Sequence, residues 1–242
     1  MIDATFFLMR VLFVPVKYRK SLENTFLEDI LSNIKEKKKI GIFTTIQFLN
    51  QIEQLDKFLK KNGKTVIIGK SNYRASEKGQ VLGCDPMAGT SIEAKVDCFV
   101  YLGSGFFHPL SVALKTNKEI IIANPLTNEV SMLDKSKVEQ LRNAKKRMLN
   151  EFSKAKKVGI LVCTKSGQYD LKAAEETEKK LNAKGKKAYI FLFDTLNPEE
   201  LINFNNIEAW VNTACPRISI DDAERIGKTI IDIEDLGIER SH

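Results

Sequence analysis

The feature that most constrains this chain is that one pattern occurs in it twice. "KKKIGIFTTIQF" (37–48) corresponds to "AKKVGILVCTKSGQ" (155–168): basic residues, a short apolar β-branched run, then a polar turn. Each is followed by an amphipathic helical pattern and a lysine-glycine stop, "DKFLKKNGKTVIIG" (56–69) against "EKKLNAKGKKAYIF" (178–191). Strand, helix, glycine cap and strand in that order spell a βαβ unit on a parallel sheet. Further on, "VDCFVYLGSG" (96–105) matches "IEAWVNTACP" (207–216), and "EIIIANP" (119–125) and "KTIIDIED" (228–235) close the two units. The period of about 110 residues is the size of an ordinary domain. The expected fold is therefore α/β, with repeated βαβ units and small parallel sheets.

"RVLFVPV" (10–16) has the character of the two closing strands and leads into a helix at about 19–36, much as "IIIANP" leads into one at about 132–154. It reads as the last strand of an earlier unit whose body is absent. The alternative is that it simply begins the first domain, as an opening strand does in many α/β folds.

Composition narrows the class. The chain has 242 residues, 43% hydrophobic and 29% charged, and holds no uncharged apolar run of membrane-spanning length. Asp3 and Arg10 interrupt the apolar start, which lacks a small-residue cleavage site, so neither a signal peptide nor a membrane span is expected. Four scattered cysteines without a secretory segment point to a reducing, cytoplasmic setting rather than a disulfide framework. The net charge of +7 suits an acidic protein partner; much of it sits in lysine-rich helix ends such as "KEKKK" (35–39), which argues against nucleic acid.

The cysteines divide by position. Cys84 lies in the glycine-bracketed turn of "GQVLGCDPMAG", and Cys215 follows the predicted strand "AWVNT", so both sit on loops near strand ends. Cys98 falls inside the alternating strand "VDCFVYLG", a core position, and Cys163 near the end of "VGILVCT" reads as buried. No CxxC occurs and the histidines have no zinc spacing, so a local zinc ribbon or finger is excluded; a metal site would have to gather cysteines from distant segments. Gly103, Ser104 and Gly105 precede His108 in "GSGFFHPL", where backbone N–H groups could approach an anion. The "KSGQ" turn, with Lys165 and Gln168, is a polar anchor at the equivalent edge.

Taken together, "GQVLGCD", "YLGSGFFHPL", "TKSGQ" and "NTACPRISIDD" resemble the archaeal diphthamide synthase family, and the motifs occur in the family's order. Its members are 2-(3-amino-3-carboxypropyl)histidine synthases, atypical radical S-adenosylmethionine enzymes. The resemblance implies three similar α/β domains, each giving one cysteine to a central [4Fe-4S] cluster. Residues 1–18 then correspond to the end of the first domain, 19–130 to the second and 131–242 to the third. It implies Cys84 and Cys215 as ligands and gives none to Cys163. S-adenosylmethionine would bind the open iron, and its 3-amino-3-carboxypropyl group would pass to a histidine of translation elongation factor two. Position in the motifs suggests Gln80, Gly103, Ser104, Gly105, His108, Lys165 and Gln168 as its contacts. The chain departs from the family in carrying two of three ligand positions and a short carboxyl end. Three explanations follow: a split synthase completed by an amino-terminal chain, with homo-oligomerisation also expected; a fragment; or a cluster-less scaffold subunit. Substitution of Cys163 as third ligand is a fourth.

Overall fold

The apolar runs of the repeat become the inner strands of two separate sheets. The structure is a computed structural model that describes Leu12, residues 14–238 and Arg240. Its first part runs α1 (Asn24–Asn33), β1 (Lys39–Thr44), α2 (Leu49–Lys61), β2 (Thr65–Ile67), the single turn α3 (Met87–Thr90), β3 (Cys98–Leu102), α4 (Phe107–Ala113), β4 (Glu119–Asn124) and β5 (Glu129–Met132). The second runs α5 (Lys135–Lys154), β6 (Lys157–Cys163), α6 (Leu171–Ala183), β7 (Lys187–Phe193), β8 (Ala209–Asn212), α7 (Arg217–Asp221), α8 (Ala223–Ile226) and β9 (Thr229–Asp232). The sheet orders are β2-β1-β3-β4-β5 and β7-β6-β8-β9, so β1 to β4 occupy the places of β6 to β9. Every pairing is parallel except that of β4 with β5. The fold is α/β with parallel sheets, as the repeat predicts, plus one antiparallel edge strand. Of the segment 10–16, residues 10, 11 and 13 lie outside the described residues; Leu12 and residues 14–16 join no strand.

The repeated residues have repeated jobs. Gly63 (φ +75°) and Gly185 (φ +77°) end α2 and α6 in the left-handed region, which glycine enters without strain. The next lysine of each repeat then caps a different helix. Lys64 Nζ donates to the carbonyls of Ile34, Lys35 and Lys37 at 3.1, 2.6 and 2.8 Å, just beyond α1. Lys186 Nζ donates to Phe152, Ser153 and Ala155 at the end of α5. A cation there meets carbonyls that the helix leaves unpaired, at the negative end of its dipole.

A second repeated device is a glycine facing an aromatic ring. Gly41 on β1 is registered against Phe99 on β3, and Gly159 on β6 against Trp210 on β8. A Cβ at Gly41 would stand 2.4 Å from Phe99 Cδ1, and one at Gly159 2.1 Å from Trp210 Cζ3. Each ring thus lies flat over the neighbouring strand in the space a side chain would fill. Sheet one buries Ile40, Ile42, Cys98, Val100 and Leu102 against α1 and α2, and Phe43, Phe99 and Tyr101 on its other face. Cys98 is core, as the alternation predicts.

At the start of β4, Glu119 receives Lys37 at 2.9 Å and Lys135 at 2.8 Å. Hydrogen bonds from Lys135 and then Lys37 hold its carboxyl down to about 2. A lowered folded-state pKa means stability that is present above the ordinary glutamate range and lost as pH falls toward 2. Glu119→Gln is expected to lower the thermal midpoint at neutral pH, by a cost of roughly 1 kcal/mol or less because both lysines are partly solvated. The difference from wild type should vanish on acidification; a gap that persisted at pH 2 would assign the effect to packing instead.

Candidate metal centre

In a parallel sheet the loops at the carboxyl ends of the strands meet at one edge, where backbone groups are free for other work. Cys84 and Cys215 sit on such loops, one from each sheet, and both are half-buried free thiols. Phe107 marks how the loops converge. A Cβ on Gly83 would stand 2.0 Å from its ring, and the Arg217 guanidinium lies 5.3 Å over the same ring. A cleft of about 360 Å³ passes here, lined by Cys84, Phe107, Leu114, Pro216, Asp232 and Glu234 among others.

Each cysteine is presented by a loop that a buried polar side chain holds in place. Asp85, 1% exposed, organises the Cys84 turn. Its Oδ2 accepts from Ser71 Oγ at 2.5 Å, Arg74 N at 2.9 Å and Ala75 N at 2.8 Å, and its Oδ1 from Met87 N at 3.2 Å. Leu82 and Asp85 exchange backbone bonds across the turn at 2.9 and 3.0 Å. On the Cys215 side, Asn212 Nδ2 donates to Cys215 O at 2.9 Å and to Asp232 Oδ1 at 2.8 Å, while Asn212 Oδ1 accepts from Ala214 N. Arg240 donates to the carbonyls of Thr213 and Ala214.

Two arginines and two acids stand near the thiols. Burial pushes the Cys84 thiol up, and Arg74 and then Arg240 oppose it. Arg74 also crosses between the sheets, its Nη1 donating to Gly167 O at 2.8 Å. Asp232 is pushed up to about 6 by burial, with Ser219 pulling the other way through a 2.7 Å hydrogen bond. Burial also raises the neighbouring Glu234, but Arg240 at 2.6 Å more than offsets it, so that carboxyl stays low. Cys163 is 1% exposed, its Sγ 3.5 Å from Asp194 O, and burial raises its thiol.

The other expected site residues are placed as follows. Ser104 and His108 line a second cleft of about 350 Å³ with Thr45 and Tyr101, and the His108 ring stacks on Tyr101 at 6.4 Å. Burial and then Arg217 lower His108 below the usual histidine range. Gly105 turns the loop with φ +75°, and Tyr101 Oη donates to Ser104 O at 3.2 Å below Gly103. Gln80 is buried and accepts from Glu77 N at 3.2 Å. Lys165 meets Thr195 Oγ1 at 2.9 Å and starts the turn that Gln168 closes at 3.0 Å. The structure thus groups Ser104 with His108, and Lys165 with Gln168, and none of the seven lines the cleft at Cys84. Sequence reasoning missed Arg74, Asp85, Asp232 and Arg240. Only Asp85 carried a local signal, an aspartate before proline in a turn.

The family model described as "Putative diphthamide synthesis protein" matches residues 3–238. The chain belongs to the diphthamide synthesis family. Within that family it is 34% identical over 215 residues to the 2-(3-amino-3-carboxypropyl)histidine synthase of Pyrococcus horikoshii, covering 87% of this chain and 60% of that protein. Against the synthase of Methanocaldococcus jannaschii it is 30% identical over 224 residues, covering 88% and 57%. A crystal structure of Dph2 from Pyrococcus horikoshii with a 4Fe-4S cluster superimposes with a TM-score of 0.75 at 30% identity, covering 88% of this chain and 60% of that one. The chain thus spans about 60% of the length of these relatives. Among its described residues no three histidine, cysteine or acidic side chains group as a metal site, and no helix is long and apolar enough to cross a membrane.

The donor set suits an iron–sulfur cluster in kind and falls short of it in number. Thiolates are the ligands such clusters take, and nearby cations offset their negative charge. Two thiols from one chain leave further ligands to come from elsewhere.

Proposed function

We propose that this chain is part of a 2-(3-amino-3-carboxypropyl)histidine synthase in which Cys84 and Cys215 hold a [4Fe-4S] cluster completed by a cysteine from an amino-terminal domain or partner chain. The observation that carries this reading is the pair of free thiols on converging loops, flanked by Arg74 and Arg240, in a family with a cluster-bearing relative. When bound, the cluster would supply the electron that cleaves the S–Cγ bond of S-adenosylmethionine and an open iron for its methionine end. The chain's own residues would orient and shield. Asp85 and Asn212 hold the two loops, and the Phe107 ring fills the space between Gly83 and Arg217. Of the residues expected to contact S-adenosylmethionine, Ser104 and His108 share one cleft and Lys165 and Gln168 one turn, both outside the cleft at Cys84, so they, with Gln80 and the glycines 103 and 105, would reach it only from the neighbouring loops. A histidine of translation elongation factor two would receive the 3-amino-3-carboxypropyl group, and the net charge of +7 suits an acidic face on that substrate protein. The synthase would act in the cytoplasm as an oligomer or with an amino-terminal chain.

Anaerobic reconstitution with iron and sulfide tests the reading, on the wild type beside Cys84→Ala, Cys215→Ala, Cys98→Ala and Cys163→Ala. The expected result is thiolate-to-iron absorbance that is weak in the chain alone. It rises toward about four irons per complex when an amino-terminal domain of a relative is added, and is lost in the first two variants only. A folded, colourless protein under both conditions would overturn it and favour the scaffold reading.

A further inference from the structure

Arg240 is a fully charged side chain only 5% exposed, which is costly unless its fork is fully used. It is. Nη1 donates to the carbonyls of Thr213 and Ala214, Nε and Nη2 donate to Glu234 Oε1 and Oε2 at 2.6 and 3.3 Å, and Asp232 lies 3.7 Å from Nη2. The carbonyl of Cys215 itself is taken by Asn212. Three consecutive carbonyls, those of residues 213 to 215, are therefore fixed, two of them by this one guanidinium. The acids that face it, Asp232 on β9 and Glu234 just beyond, tie the Cys215 loop to the last strand of its sheet. Lysine could offer the charge but not the planar fork.

We infer that Arg240 is the positioning residue of the centre: its fork fixes the loop that presents Cys215, and its charge offsets negative charge gathered between the two sheets. Arg74 has the matching place on the other side, its backbone N–H bound by Asp85 and its guanidinium on Gly167 O. The inference rests on the reading of Cys84 and Cys215 as donors, and its charge half can be tested only if that reading holds. Its geometric half stands apart from it.

Arg240→Lys and Arg240→Met separate the two halves. In the iron-free chain, amide hydrogen exchange should quicken at Ala214 and Ile218 in both variants, while the β6 and β8 amides stay protected. After reconstitution, a chelator should strip iron about 10- to 100-fold faster from both than from wild type, the range seen when residues behind a metal ligand are removed. The reduction potential should fall only in Arg240→Met, because Arg240→Lys keeps the charge. Unchanged exchange at Ala214 and Ile218 in folded variants would overturn the inference. So would deprotection spread evenly through the second sheet, which would make Arg240 an anchor of the whole fold. A wild type that takes up no iron sinks the cluster reading instead, and the exchange data still decide the positioning role.

Discussion

Asp85→Ala is expected to destabilise the protein by about 3–5 kcal/mol, because a buried donor that loses its partner costs about 1–3 kcal/mol and four donors converge on this carboxylate. Ser71 Oγ can rotate to another acceptor, but the amides of Arg74, Ala75 and Met87 cannot. Asp85→Asn keeps one acceptor oxygen and should lose less than half as much. Urea denaturation of the three proteins gives the comparison. Since the same carboxylate ties the 71–75 loop to the Cys84 turn, the alanine variant should also hold iron poorly even when folded. An alanine variant within about 1 kcal/mol of wild type would mean that water replaces the carboxylate, and that the turn is held by its Leu82–Asp85 backbone bonds instead.

Gly159→Val should be at least as damaging, although valine is the better strand residue. The new Cβ alone would sit 2.1 Å from Trp210 Cζ3 and 2.3 Å from Cε3. The indole is fully buried, with Phe191 packed edge-on at 5.0 Å and Phe204 at 6.3 Å, so it has nowhere to move. Overpacking costs typically about 1–3 kcal/mol where neighbours can shift, and a boxed indole places this case at or above the top of that range. A double-mutant cycle with Trp210→Leu checks the cause. Removing the large ring costs several kcal/mol by itself. In the valine background it should cost far less, because it also relieves the clash. Additive losses would show that the strain lies in the β6 backbone and not at the ring.

The order of strands and helices was readable because each βαβ unit is punctuated by residues with local effects. Gly63 and Gly185 stop helices wherever they occur, and an apolar β-branched run such as "VGILV" has few uses besides a buried strand. β5 went unread for the opposite reason. It is a short edge strand with exposed residues, reached through a turn in which Asn128 adopts φ 55°, and nothing in "EVSM" distinguishes it from loop. Helix α1 is shorter than the expected 19–36, because residues 17–20 bond to α2 and its approach instead, Gln51 Nε2 donating to the carbonyls of Tyr18 and Lys20. At the centre, the loop placement of Cys84 and Cys215 was legible from turn residues and strand ends. The arginines were not. Arg74 acquires meaning only where the two sheets meet, through Gly167, and Arg240 only where the chain end folds back on the 213–215 loop; periodicity carries no trace of either contact.

Helix α5 joins the two halves in more than sequence. Its 20 residues extend about 30 Å. Val138 near its start packs into the core of sheet one, Phe152 near its end into the core of sheet two, and between them Arg142 Nη2 holds the carbonyls of Ala113 and Thr116. The boundary between the two copies therefore runs through a helix that both of them grip, its body on β9 and its first turns on sheet one. A cut just before it would take a buried valine and a guanidinium clamp from sheet one, so the repeat visible in the sequence and the packing unit do not end at the same residue.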